Sequence, residues 1–151
     1  MSRAIATLGG LGRVRFAPGT WGSVVGLALG WLAVQALKPP LGWLLLLLTF
    51  VGAVSICTRA ERQLARHDPP AVILDEVWGM AAVVIALPWT VGSWGWLLAA
   101  LVLFRIFDIV KPPPLRRLAT LPGGWGIMAD DAGAALYAIV VLWALSRLAG
   151  G

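Results

Sequence analysis

GGWGIMADD, residues 123–131, sets three glycines ahead of two adjacent carboxylates, and an apolar run follows as far as Leu148. The chain has only seven acidic residues in 151. Two of them side by side at the mouth of a hydrophobic segment therefore call for a reason. The surrounding composition is lipid-like. Hydrophobic residues make up 60% and charged residues 13%, against about 25% charged in ordinary soluble domains. Mean hydropathy is +0.86. Nine tryptophans suit a membrane–water interface, where amphipathic rings gather. A soluble protein of this balance would expose large apolar patches and aggregate. The expectation is an all-α fold: a polytopic integral membrane helical bundle forming one domain over residues 1–151.

The first twenty residues carry Arg3, Arg13 and Arg15 and no long apolar core, so no cleavable signal peptide is expected. Cys57 is the single cysteine, which rules out an internal disulfide. The net charge of +5 flanks apolar segments, a placement suited to anionic lipid headgroups rather than nucleic acid.

Five apolar stretches stand out: Trp21–Leu37, Leu41–Cys57, Val77–Pro88, Trp94–Val110 and Ala132–Leu148. A membrane span needs about 20 residues, with a lower limit near 17. Val77–Pro88 falls short unless it takes in Asp75 and Glu76, so some helices should tilt, stop short or begin with polar residues inside the protein. About five transmembrane or partly inserted helices are expected. Gly22, Gly26 and Gly30 form a small-xxx-small stripe suited to close helix packing.

Five spans place the N-terminus, residues 58–74 and residues 111–128 on one side. Of the twelve Lys and Arg, only Lys38 and Arg147 fall opposite, which makes the first side cytoplasmic by the positive-inside rule. All seven acids (Glu61, Asp68, Asp75, Glu76, Asp108, Asp130 and Asp131) fall on that same side. Carboxylates at membrane-helix ends are costly unless paired or metal-bound. One cytoplasmic-face site built from several helix ends follows.

Three constellations make up that site. HDPPAVILDE (67–76) places His67 and Asp68 before a Pro-Pro turn and Asp75-Glu76 at the start of a helix. A helix N-terminus favours acids, but adjacent residues point about 100° apart and rarely serve one structural partner. FRIFDIVKPPP (104–114) sets Arg105, Asp108 and Lys111 at i, i+3 and i+6, so neighbours in that series share a face. It reads either as an ion-pair ladder or as a metal-binding Asp between two phosphate-binding cations. GGWGIMADD is the third. Glycine-rich backbone at a helix N-terminus cradles anions, yet two carboxylates would repel a bare phosphate. A divalent cation removes the conflict by bridging acids and phosphate. In APGTWGS (17–23), Pro18-Gly19 reads as a turn and Thr20 as an N-cap. Hard oxygen ligands without a Cys or His cluster favour Mg²⁺ over Zn²⁺.

Together, PGTWGS, HDPPAVILDEVWGM, FRIFDIVKPPPL and GGWGIMADD resemble the four signature blocks of the phosphatidylglycerophosphatase A family, in order and separation, across essentially Gly10 to Ala135. Two departures, Ala17 before Pro18 and Ala134-Ala135 after the paired aspartates, touch no charged position. The resemblance implies a Mg²⁺-dependent phosphatase of the bacterial inner membrane that converts phosphatidylglycerophosphate to phosphatidylglycerol. The motif match carries over Thr20, His67, Asp68, Asp75, Glu76, Arg105, Asp108, Lys111, Asp130 and Asp131. Asp75, Glu76, Asp108, Asp130 and Asp131 would supply metal ligands, and Thr20, Arg105 and Lys111 would bind substrate. His67, Asp68, Asp75 and Asp131 would be catalytic, with His67 or Asp68 handling protons. Water attack and an aspartyl-phosphate route both fit. Cys-based, two-histidine and Asp-x-Asp phosphatase chemistries lack their residues in this chain. The competing class is an ion- or proton-coupled transporter, which should spread acids through the membrane depth; here they gather at one face.

Overall fold

The computed structural model describes residues 2–14, 16–65 and 69–149; Arg15, Arg66, His67 and Asp68 lie outside them. Among the described residues all regular structure is helical: α1 (Ser2–Ala6), α2 (Pro18–Ala36), α3 (Pro39–Leu64), α4 (Leu74–Ala86), α5 (Trp94–Val110), α6 (Leu115–Leu118) and α7 (Gly124–Ala149), with 3-10 turns at Leu8–Arg13 and Pro88–Gly92.

Prolines start α2 and α3, where the missing N–H has no helical partner to lose. α2 and α4 run side by side in the same direction. Their contact is the glycine stripe: a Cβ on Gly22 would sit 3.0 Å from the Ile73 carbonyl oxygen, one on Gly26 would overlap the Val77 carbonyl, and one on Gly30 would meet Val84 at 2.9 Å. The small-residue stripe is thus a packing face, and α4 is what it packs on. α3 and α5 run opposite to α4. Trp78 on α4 donates its indole N–H to the Leu46 carbonyl of α3 at 3.0 Å, and Phe104 of α5 lies across Gly79. α7 completes the core through Ala134, Ala135, Ala138 and Leu142, all buried.

Two helices, Pro39–Leu64 and Gly124–Ala149, are long and apolar enough to cross a membrane. Their outer faces leave Leu47, Leu48 and Leu136 about 60% exposed, a surface suited to lipid. α4 has 13 residues and is only about 20 Å long at 1.5 Å per residue. It opens on Asp75, which is buried, so the expected short helix that begins with polar residues inside the protein is present.

Three expectations need correction. The third helix does not end at Cys57 but continues to Leu64, because residues 58–64 are amphipathic: Ala60 is buried while Arg59 and Arg62 face out. The last helix begins at Gly124, not near Ala132. Its early glycines are helical because neighbours press on them; a Cβ on Gly124 would overlap the Val54 carbonyl, and one on Gly126 the Leu121 carbonyl. Thr20 is not an N-cap. Pro18 begins α2, Ala17 takes the cap position with φ 46°, and Thr20 lies within the first turn.

Candidate active site

The N-terminal ends of α2, α4 and α7 and the C-terminal ends of α3 and α5 meet at one end of the bundle. Asp75 and Glu76 come from the first turn of α4, and Asp131 comes from the second turn of α7. One carboxylate oxygen from each lies within 4.8 Å of the other two. Asp75 and Asp131 are buried. Among the described residues, Asp75 Oδ1, Glu76 Oε2 and Asp131 Oδ2 are buried with no hydrogen-bond donor. Buried carboxylate oxygens left in this way are expensive. Three converging acids with unmet oxygens are the donor set that a hard divalent cation satisfies.

Cations and further acids surround the trio. Arg105 Nη1 donates to Asp108 Oδ2 at 2.6 Å and approaches Glu76 Oε1 at 3.8 Å. Asp108 also faces Glu76 and Asp131. The Nε–H of Arg105 is buried without an acceptor, which leaves one guanidinium donor aimed at no protein oxygen. Lys111, which ends α5 in the left-handed conformation at φ 46°, pairs through Nζ with Asp130 Oδ2.

Of the residues singled out in the sequence, then, Asp75, Glu76 and Asp131 form the centre, and Asp108 and Arg105 stand against it. Asp130 and Lys111 form an ion pair beside it. Thr20 sits in the first turn of α2, half-buried. His67 and Asp68 lie outside the described residues. The glycine turn does not shape a cradle at the paired aspartates. Asp130 and Asp131 stand almost two turns inside α7, and the helix start is instead tied to α3, where the Gly124 N–H donates to Thr58 Oγ1 at 2.8 Å.

Two residues of this region were not assigned a role from sequence. Thr58 has no motif signal; its function follows from the approach of α7. Gly19 was visible only as part of a turn. In the structure it is the point where α2 presses on the site: a Cβ there would overlap Glu76 Oε1 and stand 2.8 Å from Arg105 Nη1. Its place within PGTWGS was the available clue.

Known proteins resemble this chain over nearly its whole length. The sequence model of the family described as phosphatidylglycerophosphatase A matches residues 4–146. A Haemophilus influenzae protein named phosphatidylglycerophosphatase A is 39% identical over 137 residues, covering 90% of this chain and 83% of that relative. An Escherichia coli protein of the same name is 33% identical over 135 residues, covering 89% and 77%. A Bacteroides thetaiotaomicron protein, provisionally named a phosphatidylinositol-3-phosphatase, is 37% identical over 145 residues, covering 91% and 89%. No solved structure matches the chain. With four sequence blocks meeting at one bundle end and a match over nearly its whole length, the chain belongs to the phosphatidylglycerophosphatase A family.

Proposed function

We propose that this chain is a Mg²⁺-dependent phosphatase that removes the terminal phosphate of phosphatidylglycerophosphate at the cytoplasmic face of a bacterial inner membrane. The observation that carries the reading is the convergence of Asp75, Glu76 and Asp131 within 4.8 Å, with donor-less oxygens on all three. Those three residues, with Asp108 beside them, would hold the cation. A divalent ion bound there supplies Lewis-acid polarisation of the phosphate. The chain's own groups do the rest. Arg105 offers its Nε–H and positive charge to a phosphate oxygen. Lys111 adds a second cation while holding Asp130. Thr20, next to Gly19 in the first turn of α2, would add a hydroxyl to substrate binding. His67 or Asp68, carried over by the motif match, would handle protons at the attacking water or the leaving glycerol oxygen.

Five helices, α2, α3, α4, α5 and α7, would be inserted in the bilayer as one domain, with the basic residues on the site side facing the cytoplasm. The acyl chains of the substrate then stay in lipid while its phosphate meets the carboxylates at the interface.

The test is phosphate release by the purified chain in mixed micelles. Phosphatidylglycerophosphate should be hydrolysed with Mg²⁺ and not with excess EDTA, and phosphatidylinositol 3-phosphate and phosphatidic acid should be slower. No release, or release indifferent to EDTA, would refute the reading. Faster turnover of phosphatidylinositol 3-phosphate would keep the chemistry and replace the substrate.

A further inference from the structure

A groove of about 670 Å³ runs between α3, α4 and α7. Its floor is alanine: Ala82 and Ala86 from α4, Ala132 and Ala135 from α7. Leu47 and Leu136 form a rim open to the lipid side, each about 60% exposed. Phe50 and Trp78 close the end nearest the carboxylates, packed edge to face at 4.9 Å. The one polar atom of Trp78 is committed to the Leu46 carbonyl. Apart from the Trp43 indole the lining is hydrocarbon, and water inside it would find few partners.

Its placement relative to the acids identifies an occupant. Asp75, Ala82 and Ala86 stand at i, i+7 and i+11, on one face of α4; Asp131 and Ala135 stand at i and i+4 on α7. The groove thus hangs directly beneath two of the three converging carboxylates. From Asp75 to the groove's far end at Ala86 is eleven residues, or about 16 Å at 1.5 Å per residue. One leaflet is half of a hydrocarbon core of about 30 Å. An acyl chain whose headgroup lies at the acids has the length and the chemistry to fill it.

We propose that this groove is an acyl-chain subsite, holding one fatty chain of the phospholipid whose phosphate is drawn to the cation site of Asp75, Glu76 and Asp131. The inference rests on the phosphatase reading above. A second apolar cleft, of about 400 Å³ between α2, α3 and α4, supplies the control. It lines α4 chiefly through Leu74, Val77 and Ala81, on a face turned away from Asp75, and shares Leu46 and Trp78 with the groove. Gly52 opens onto it, and a Cβ there meets nothing within 4 Å, so Gly52→Leu fills that cleft at little cost to packing.

The experiment compares dipalmitoyl with dihexanoyl phosphatidylglycerophosphate in detergent micelles, using the full chain, Ala86→Phe, the milder Ala86→Leu, and Gly52→Leu. Ala86→Phe should raise KM for the long-chain lipid about tenfold, the effect of displacing roughly two buried methylenes. Its kcat and its KM for the short-chain lipid should stay near wild type. Ala86→Leu should show a smaller rise of the same kind, and it carries the test if the Phe variant does not fold. Gly52→Leu should change neither substrate. An unchanged long-chain KM, equal losses on both lipids, or a long-chain defect confined to Gly52→Leu would overturn the assignment. If wild type releases phosphate from neither lipid, the phosphatase reading fails, and photolabelling decides the groove separately. A palmitoyl lipid bearing a chain-end diazirine should label the peptides of Leu47 and Leu136 in wild type and lose them in Ala86→Phe; labelling spread evenly over the lipid-facing helices would sink it.

Discussion

Gly19→Ala adds a single methyl group where the α2 backbone presses on the Glu76 carboxylate and the Arg105 guanidinium. The new Cβ would overlap Glu76 Oε1 and lie 2.8 Å from Arg105 Nη1 and 3.0 Å from Nη2. Normal contact between heavy atoms begins near 3.5 Å, so the guanidinium must retreat by about 0.7 Å and the Glu76 carboxylate by more. Both are the far ends of flexible side chains, so the fold absorbs the methyl group. The site does not: displacing a positioning group by about 1 Å costs on the order of 10²-fold in rate, or about 2.7 kcal/mol in transition-state stabilisation. The expected result is a loss near 10²-fold in kcat/KM for phosphate release, with the midpoint of thermal unfolding in detergent moved by less than about 2 °C. Gly26→Ala is the matched comparison. There the methyl overlaps the Val77 carbonyl, with Val77 Cα at 2.9 Å; backbone cannot swing aside, so stability should fall first and activity with it. Near-wild-type activity in Gly19→Ala, or equal thermal losses in the two variants, would refute the claim that Gly19 acts on the site through Glu76 and Arg105.

Three further outcomes follow from the same geometry. Asp131→Asn should lower phosphate release by roughly 10²-fold or more and weaken Mn²⁺ binding followed by electron paramagnetic resonance, with helical circular dichroism retained; wild-type turnover would dissolve the three-carboxylate centre. Lys111→Met should destabilise the chain by about 3 kcal/mol, since a buried carboxylate loses its cation, and Lys111→Met combined with Asp130→Asn should recover much of the lost thermal midpoint; no recovery in the pair would show that Lys111 acts elsewhere. Thr58→Val removes the oxygen that accepts the Gly124 N–H and should cost about 1 kcal/mol, read as a lower midpoint with EDTA-sensitive activity intact.

The helical class, the apolar outer surface and the grouping of acids at one end were legible in the sequence. Each depends on quantities that add along the chain: hydropathy over a window, charge between segments, and the side on which each connection falls. The paired residues Asp75-Glu76 and Asp130-Asp131 were recognisable for the same reason, since carboxylates beside apolar runs are rare enough to demand a partner. Gly22, Gly26 and Gly30 marked a contact face by period alone, although nothing local could name α4 as the other half.

What the tertiary structure decided was distance. Arg105, Asp108 and Lys111 look like one ladder in sequence. The end of α5 at Lys111 breaks the helical phase, so Arg105 turns to Glu76 and Asp108 while Lys111 reaches Asp130 on α7. Helix starts also escaped local reading. Glycines normally signal a turn, but Gly124 and Gly126 are helical because the backbones of α3 and of the preceding loop occupy the space a side chain would need. Asp131 is therefore carried into the bundle and meets Asp75, Glu76 and the alanine-floored groove below them. A sequence records which side chains exist and how often they recur; which oxygens face each other across three helices is set by packing between residues far apart in the chain.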